Sequence, residues 1–355
     1  MAEIEGAHSA GLSDILTQRQ IYVEQAKASL HDQYSVIALA VVMALLQALA
    51  RNRVTQFQDA DRAALARIVN EVLVAFDGAA ATYKANVISW LQRYTRDEHL
   101  FFAVAIRAAI VTPDDGATPA DLNLDWGPIS AGILGATGLS LEQTLSKLIA
   151  DQRINIRQAI QRAHALNLRT EGLLAAMEGT PSRLRKDGIL TKMRNFAATT
   201  VDTLVQFGMS MARNQTMQKF LDYIVGYTWV SVLDARTSDI CRSLSGQRFA
   251  FGQGPLPPMH LRCRSHVEPV FSLETAFREG FGKAFTAGET YYEWLKRQPE
   301  TIQYDVLGRT KGSLFRKGGL TAAQFAVTVV DRKFQPLTLE ELRKKFPNLF
   351  RNARV

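Results

Sequence analysis

The first part of the chain repeats hydrophobic residues every three or four positions, which is the period of an α-helix. The stretch DRAALARIVNEVLVAFDGAAATYKANVISWLQRY, residues 61–94, shows this pattern over a long run. Pro, Gly and Asp interrupt the pattern in residues 111–132, where we predict a joint between subdomains. The pattern therefore predicts a helical region over residues 1–225.

Polar residues mark several of the predicted helix starts. A Ser or Thr followed three residues later by Glu or Gln forms a capping box, and a Thr followed by Pro is also typical of a helix start. The capping-box pairs are Ser140/Gln143, Thr290/Glu293, Thr321/Gln324 and Thr338/Glu341, and the Thr-Pro pair is Thr118/Pro119. We expect a helix to begin at each of these pairs.

A different pattern begins near Tyr227. The segments YTWVSVLD, QRFAF and SHVEPVF are short and rich in aromatic or β-branched residues, which is typical of strands. Between the first two segments, DICRSL predicts a short helix that Thr237 or Ser238 caps and Gly246 ends. The predicted fold is therefore mainly α, with a smaller α+β module of short strands and flanking helices over residues 226–355.

One apolar run, YSVIALAVVMALLQALA (Tyr34–Ala50), raises the question of a membrane span. A spanning helix needs about 20 consecutive apolar residues. This run contains Gln47 and lies between Asp32 and Arg51. We therefore predict a core helix of a globular domain and no membrane partner.

The composition is typical of a soluble globular protein, with 47% hydrophobic and 21% charged residues. Two cysteines cannot form a disulfide scaffold, and the first residues lack a signal-peptide pattern, so we expect a protein made in a cytoplasm. We expect the basic, glycine-rich segment GRTKGSLFRKGG, Gly308–Gly319, to be an exposed turn.

The net charge of +8 favours a polyanionic partner such as nucleic acid. Basic side chains along one helix face would contact a phosphate backbone, and such contacts make binding sensitive to salt. The alternative is a solvated helix face. The candidate DNA-binding residues are Arg153, Arg157, Arg162, Arg343, Lys344 and Lys345.

Both cysteines of the chain, Cys241 and Cys263, flank a Gly/Pro-rich loop, and His260 precedes the second by three residues. We expect buried thiols and a histidine that together pin this loop, without a metal. The alternative is a zinc site in which Asp239 or His266 completes a tetrahedron. Thiol catalysis would need a third, orienting group that the sequence does not identify, so we predict no catalytic residue.

Several motifs between Tyr223 and Phe346 occur in a fixed order: LDARTSDIC, LSGQRF, PPMHLRCRS, YYEWLKRQP, DVLGRTKGSLF and LTLEEL. In this order they resemble the C-terminal module of the Mu F-like family, the minor head or head morphogenesis proteins of tailed bacteriophages. The residues that match the family pattern are Asp234, Arg236, Thr237, Cys241, Gly246, Pro258, His260, Cys263 and Arg264. Many members carry further cysteines near Ser238 and after Arg264. Their absence from this chain weakens the metal alternative.

The resemblance implies a virion protein that is assembled in the host cytoplasm and resides inside the head. It implies binding to the portal protein, to capsid or scaffolding proteins and, without sequence preference, to double-stranded DNA. It also implies a role in head assembly and in DNA packaging or delivery.

Two alternatives to this role remain open. Mu F-like modules sometimes accompany ADP-ribosyltransferase or toxin domains, which need a Glu-x-Glu or Gln-x-Glu pair. The chain has the first only at Glu3 and Glu5, and the second only at Gln298 and Glu300, across a proline. We therefore expect no enzyme of this kind. The other alternative is a zinc-dependent nucleic-acid-binding module around His260.

Overall fold

The computed structural model describes residues 10–111, 123–279, 281, 289–326 and 337–355. Within these residues the α-helices are α1 (Ala10–Asp32), α2 (Ser35–Arg51), α3 (Arg62–Ala109), α4 (Trp126–Ala131), α5 (Leu141–Ala165), α6 (Thr170–Glu178), α7 (Ile189–Met217), α8 (Asp239–Leu244), α9 (Tyr291–Arg297), α10 (Glu300–Arg316), α11 (Ala322–Ala326), α12 (Leu339–Lys345) and α13 (Pro347–Ala353). Short 3₁₀ helices cover Phe57–Asp59, Pro181–Arg183 and Gln218–Phe220. The strands β1 (Ile224–Val230), β2 (Arg248–Ala250) and β3 (His266–Phe271) form one sheet. The predicted fold class, mainly α with a smaller α+β module, is confirmed.

The predicted capping boxes are confirmed because each cap accepts a hydrogen bond from the backbone three residues later and receives the side chain of that residue in return. They begin α5 at Ser140, α9 at Thr290 and α12 at Thr338, and Thr321 makes the same exchange with Gln324 before α11. Of the two caps considered for α8, the structure uses the side chain of Ser238, which accepts from the Cys241 N–H. The pair Thr118/Pro119 lies outside the described residues.

The predicted exposed turn at Gly308–Gly319 is wrong for most of its length. Helix α10 continues to Arg316, with a break at Gly308, whose φ of 73° is left-handed. At Gly312 a Cβ atom would lie 2.6 Å from the ring of Tyr304, so only glycine fits this turn of the helix. These glycines therefore serve a bend and a close helix contact instead of a surface turn.

Contacts divide the chain into two compact units. Unit 1 comprises Met1–Gln20, Thr95–Leu124 and Gln206–Val355, and unit 2 comprises Ile21–Tyr94 and Asp125–Val205. The change from helix to strand occurs at Ile224, and the predicted division into residues 1–225 and 226–355 stays a prediction. Unit 1 also includes parts of α1, α3 and α7, because a small sheet buries its apolar face only against other elements.

Strand β1 lies at the centre of the antiparallel sheet of unit 1, in the order β2-β1-β3. Tyr227 stands opposite Phe249 on β2 and opposite Pro269 on β3. Trp229 of the same strand is fully buried. Its cluster includes apolar side chains from α1, α3 and α7, namely Leu12, Leu16, Phe102, Ile106 and Met217. Removal of these side chains from water drives the helices onto the sheet.

Two fully buried charges, Glu98 on α3 and Arg213 on α7, connect the elements of unit 1. Arg213 Nε donates to Glu98 Oε1 over 2.8 Å, and Arg19 Nε of α1 donates to Glu98 Oε2 over 2.7 Å. Arg213 also donates to the carbonyl oxygen of Val267 on β3 over 3.4 Å. A buried charge without a partner costs several kcal/mol. The three helices and the strand are therefore held in one register.

A buried polar contact organises unit 2. The Tyr34 hydroxyl donates to Gln152 Oε1 over 2.5 Å, and the Gln152 amide donates to the Met193 carbonyl over 3.2 Å. The rings of Tyr34 and Tyr83 pack edge to face with centroids 5.5 Å apart. This contact joins α3, α5 and α7 around the residue that precedes α2.

Helix α2 is apolar on both its buried and its exposed sides. Ile37, Val41 and Leu45 are buried, whereas Val36 and Leu39 are 64% and 63% exposed. Among the described residues, the stretch Gly11–Arg51 is long and apolar enough to cross a membrane, by length and composition, with a mean hydropathy of 1.9 in its most apolar window. The buried side agrees with the core helix that we predicted, and the absence of a membrane partner stays a prediction.

Candidate metal centre

The candidate site lies where α8 meets the segment that enters β3. Ser238 begins α8 and places Cys241 in its first turn. The Ser231 hydroxyl, at the end of β1, donates to the Cys241 carbonyl oxygen over 2.6 Å and accepts from the indole N–H of Trp229 over 3.0 Å. Cys263 follows the Pro-rich loop and lies three residues before the start of β3. The cysteine of α8 is thus fixed to the sheet through a buried tryptophan.

The structure brings Cys241, His260 and Cys263 together. The two Sγ atoms lie 3.7 Å apart, and the distance from Cys241 Sγ to His260 Nε2 is 3.1 Å. All three donor atoms lie within 4.8 Å of one another. Both thiols are buried and His260 is half-buried. This Cys-His-Cys group can hold a metal ion such as zinc.

The hydrogen bond of the other imidazole nitrogen defines the tautomer of His260. The Nδ1 atom lies 2.9 Å from the carbonyl oxygen of Leu261. A carbonyl oxygen only accepts, so Nδ1 carries the proton and Nε2 faces the sulfur atoms. Histidines that bind metals usually show this arrangement, with the second ring nitrogen donating to a carbonyl or carboxylate.

Neither residue that we considered as a fourth ligand belongs to the group. His266 is the first residue of β3, and its Nε2 lies 3.2 Å from Glu268 Oε1, two residues further on the same strand face. Asp239 pairs with Arg242 over 2.9 Å and with Lys311 over 3.5 Å. The two candidates for a fourth ligand in the zinc alternative, His266 and Asp239, therefore lie outside the Cys-His-Cys group of this structure.

The pKa values of the two thiols shift in opposite directions, although their sulfur atoms are in contact. The hydrogen bond from Cys241 lowers the pKa of Cys263 well below its ordinary value, against burial, and His260 lowers it further. The hydrogen bond to Cys263 raises the pKa of Cys241 well above its ordinary value, and burial adds to this shift. Burial lowers the pKa of His260, but the sulfur of Cys263 outweighs it and raises that pKa overall. A lowered thiol pKa favours metal binding, because the ligand must lose its proton when it binds the ion.

An ion pair forms a second cross-link beside the sulfur atoms. Asp234, just after β1, accepts two hydrogen bonds of 2.8 Å from the guanidinium of Arg264. It also accepts from the Arg236 backbone over 3.0 Å and from the Thr237 hydroxyl over 3.2 Å. Burial raises the pKa of Asp234, but Arg264 and these hydrogen bonds outweigh it and lower the pKa to about 2.

The two remaining motif residues shape the loops around the centre. Gly246 has a left-handed φ of 80°, and a Cβ atom there would lie 2.6 Å from the Thr290 side chain, so the turn requires glycine. Pro258 is buried in the loop that leads to His260. The other seven motif residues lie together at the centre, although they come from separate segments.

The candidate DNA-binding residues fall into two groups. On α5, Arg153 is paired with Asp77 over 2.9 Å, whereas Arg157 and Arg162 are exposed. Arg162 lies nine residues after Arg153, which is half a turn around a regular helix, so these two do not share a face. On α12, the three basic residues are exposed; one of them pairs with Glu340, and the other two lie over aromatic rings: Arg343, Lys344 and Lys345.

Sequence reasoning did not identify Ser231 or Gln206. The Gln206 amide of α7 donates to the Ser265 carbonyl over 2.6 Å, which fixes the residue between Arg264 and β3. Side chains alternate between the two faces of a strand, so Ser231, two residues after Trp229, lies on the same face as Trp229. This alternation is the signal from which the sequence could have identified Ser231. No local signal identifies Gln206, because its contact spans 59 residues of the chain.

Comparison with protein-family models, with curated proteins and with solved structures finds no match to this chain. The function must therefore be inferred from the residues and the geometry of the chain itself.

Replacing Asp234 with Asn should lower the free energy of unfolding by about 1–2 kcal/mol at pH 7, because Arg264 loses a charged partner at a partly exposed site. The folded-state pKa is below the usual value of 3.8, so the stabilisation is complete above that pH and is lost as the pH falls towards about 2. Denaturant unfolding of both proteins between pH 7 and pH 2 measures this difference.

The matched control is Asp305→Asn, which removes the same charge from an exposed position on α10. We expect this control to change the unfolding free energy by less than about 0.5 kcal/mol. A difference between wild type and Asp234→Asn that stays constant down to pH 2 would contradict the role of the Asp234 charge.

Proposed function

We propose that this chain is a minor head protein of a tailed phage, which binds the portal inside the head and acts by binding protein and DNA without catalysis. The observation that carries the proposal is the meeting of seven of the nine motif residues in one small region. The pairs Asp234/Arg264 and Cys241/Cys263 are 30 and 22 residues apart in sequence and are in contact. The pattern shared with the Mu F-like family therefore has a physical reason in this chain, which is to build one cross-linked module.

Two features favour binding over catalysis. The lining of the small cavity at the candidate centre includes arginines, serines, Cys241 and His260, and none of the described residues in it is a carboxylate. Metal-assisted hydrolysis commonly uses a carboxylate as general base, and the one imidazole among the described lining residues, that of His260, belongs to the Cys-His-Cys group itself. Of the acidic pairs that a transferase would need, Glu300 forms an ion pair with Arg316 over 3.2 Å, and Glu3 and Glu5 lie outside the described residues.

We further propose that the ion held at the centre is Zn²⁺. With bonds of about 2.3 Å, two thiolates on a tetrahedral zinc lie about 3.8 Å apart. The Sγ atoms of Cys241 and Cys263 are 3.7 Å apart. The 3.1 Å between Cys241 Sγ and His260 Nε2 is shorter than the value of about 3.6 Å expected around zinc, so the imidazole must move slightly on binding. Two thiolates also neutralise the charge of the ion.

Purified protein should contain one zinc per chain by elemental analysis, and removal of the metal with a chelator should lower the melting temperature. Cys263→Ser should lose most of the metal, because a buried thiolate is replaced by a neutral hydroxyl. The control variant Asp239→Asn should keep the bound metal, since Asp239 lies outside the donor group. Zinc that survives Cys263→Ser, or wild-type protein without zinc, would contradict the site.

The start of α7 and the loop before it support binding to a polyanion. Five exposed cations lie between residues 183 and 194: Arg183, Arg185, Lys186, Lys192 and Arg194. Asp187, the acidic residue within this segment, is engaged on both oxygens by the backbone and hydroxyl of Thr180, each over 2.8 Å. These hydrogen bonds fix the loop and lower the pKa of Asp187. The loop therefore presents cations on a fixed backbone, as contacts to phosphate require.

The triple variant Arg183→Gln/Lys186→Gln/Lys192→Gln should bind a random-sequence DNA duplex more weakly and with less salt dependence. Each lost phosphate contact reduces the slope of log K against log salt by about 0.9. Fluorescence anisotropy over a range of salt concentrations measures this slope. The matched control, Arg62→Gln/Arg93→Gln/Arg96→Gln, removes the same charge from exposed positions on α3. Equal slopes for both variants, or wild-type binding that ignores salt, would reject this surface.

Binding to the portal protein is tested by co-purification and with purified virions. The chain should co-purify with the portal protein encoded in the same genome, and mass spectrometry should find it in purified virions. Protease treatment of intact particles should leave it uncut, while a surface protein of the same particle is digested and serves as the control. Particles that contain portal but lack this chain, or in which it is digested with the surface protein, would refute the proposal.

A further inference from the structure

Beside the donor group is a cavity of about 20 Å³. Both Cys241 and His260 line it, so the cavity adjoins two of the three donor residues. A site that admits a single water molecule needs about 10–15 Å³. The cavity therefore accommodates one small atom group and excludes a larger molecule.

Three arginines form the rim of this cavity: Arg236, Arg262 and Arg264. Asp234 pairs with Arg264 and lies 3.5 Å from Arg236, whose side chain is 82% exposed. Arg262 is exposed and has a left-handed φ of 57°. A residue other than glycine adopts this conformation at a cost of about 1 kcal/mol, and such residues cluster at binding sites. The rim thus has a positive excess that faces solvent.

The number of protein ligands to the ion indicates the role of the cavity. Zinc takes four ligands, and the described residues supply three at this place. Three protein ligands and one exchangeable ligand form the arrangement in which a metal ion binds an external molecule. Resting on the zinc proposed above, we propose that the fourth position faces this cavity and binds an oxygen atom of a phosphate group, which Arg236 and Arg262 help to hold.

The size and charge of the cavity select this ligand class. One phosphate oxygen fits in about 20 Å³, while the rest of the group remains at the mouth beside the arginines. Guanidinium groups bind phosphate through charge-assisted hydrogen bonds. Inorganic phosphate and a phosphodiester of DNA share this chemistry, and the experiment separates them.

The test uses the full chain loaded with Co²⁺ in place of zinc, because the visible absorption of Co²⁺ reports changes in its ligands. Metal content per chain is measured first, by elemental analysis. The protein is then titrated with inorganic phosphate and, separately, with a short single-stranded oligonucleotide that lacks terminal phosphates. We expect a saturable change of the cobalt spectrum with at least one of them. A response to phosphate alone assigns the site to small anions, and a response to the oligonucleotide assigns it to nucleic acid.

The variant Arg236→Gln/Arg262→Gln should keep one metal per chain and bind the responding ligand roughly tenfold or more weakly. Arg309→Gln, an exposed arginine on α10, is the control that should leave the affinity unchanged. A full metal content with a spectrum that neither ligand alters would overturn the open position while leaving the zinc proposal intact. Protein that binds no metal would overturn both.

Discussion

The contact between the sulfur atoms of Cys241 and Cys263 is the constraint on which the small module depends. It joins the helix that follows β1 to the segment that enters β3, across 22 residues of sequence. Strand β2 and the whole Pro-rich loop lie between these two cysteines. A cross-link at this point fixes both ends of the segment, so the loop has few conformations left in the folded state. The two thiols and His260 already lie together, and a metal ion bound by the same atoms would add a further link between the two segments.

Polar anchors surround this contact and determine its position relative to the sheet. Asp234 and Arg264 tie the same two segments a second time, through paired hydrogen bonds of 2.8 Å. On the opposite side, Arg213 reaches the backbone of β3 at Val267 and is itself paired with Glu98. A sheet of three short strands has little apolar surface to determine its register. Directional contacts at both sides of β3 therefore supply specificity that hydrophobic packing alone would lack.

The sequence predicted those features that depend on neighbours in the chain. The capping boxes at Ser140, Thr290 and Thr338 need only residues within one helical turn, and all three are present. The strand patterns and the spacing between His260 and Cys263 also depend only on residues that are close together in the sequence. His266 lies on the same strand face as Glu268 and contacts it, and it is not part of the Cys-His-Cys group. The spacing of His266 from Cys263 in the sequence does not reveal this orientation. Contacts such as that of Gln206 with Ser265 join distant parts of the chain and leave no mark in a single sequence.

Two serines next to motif residues, Ser238 and Ser265, would explain why a zinc centre at this place has a fourth position without a protein ligand. Many members of the family that the chain resembles carry further cysteines near the position of Ser238 and after that of Arg264, where Ser265 follows in this chain. Both serines line the cavity beside Cys241. Ser238 accepts from the Cys241 backbone, and the Ser265 hydroxyl donates to Ser231 over 3.4 Å, so both hydroxyls are engaged within the protein. A neutral serine is a poor zinc ligand compared with a thiolate. Serine at these positions would therefore leave a place for an outside ligand where a cysteine would close the coordination shell, and the arginines at the rim make an anion the favoured occupant.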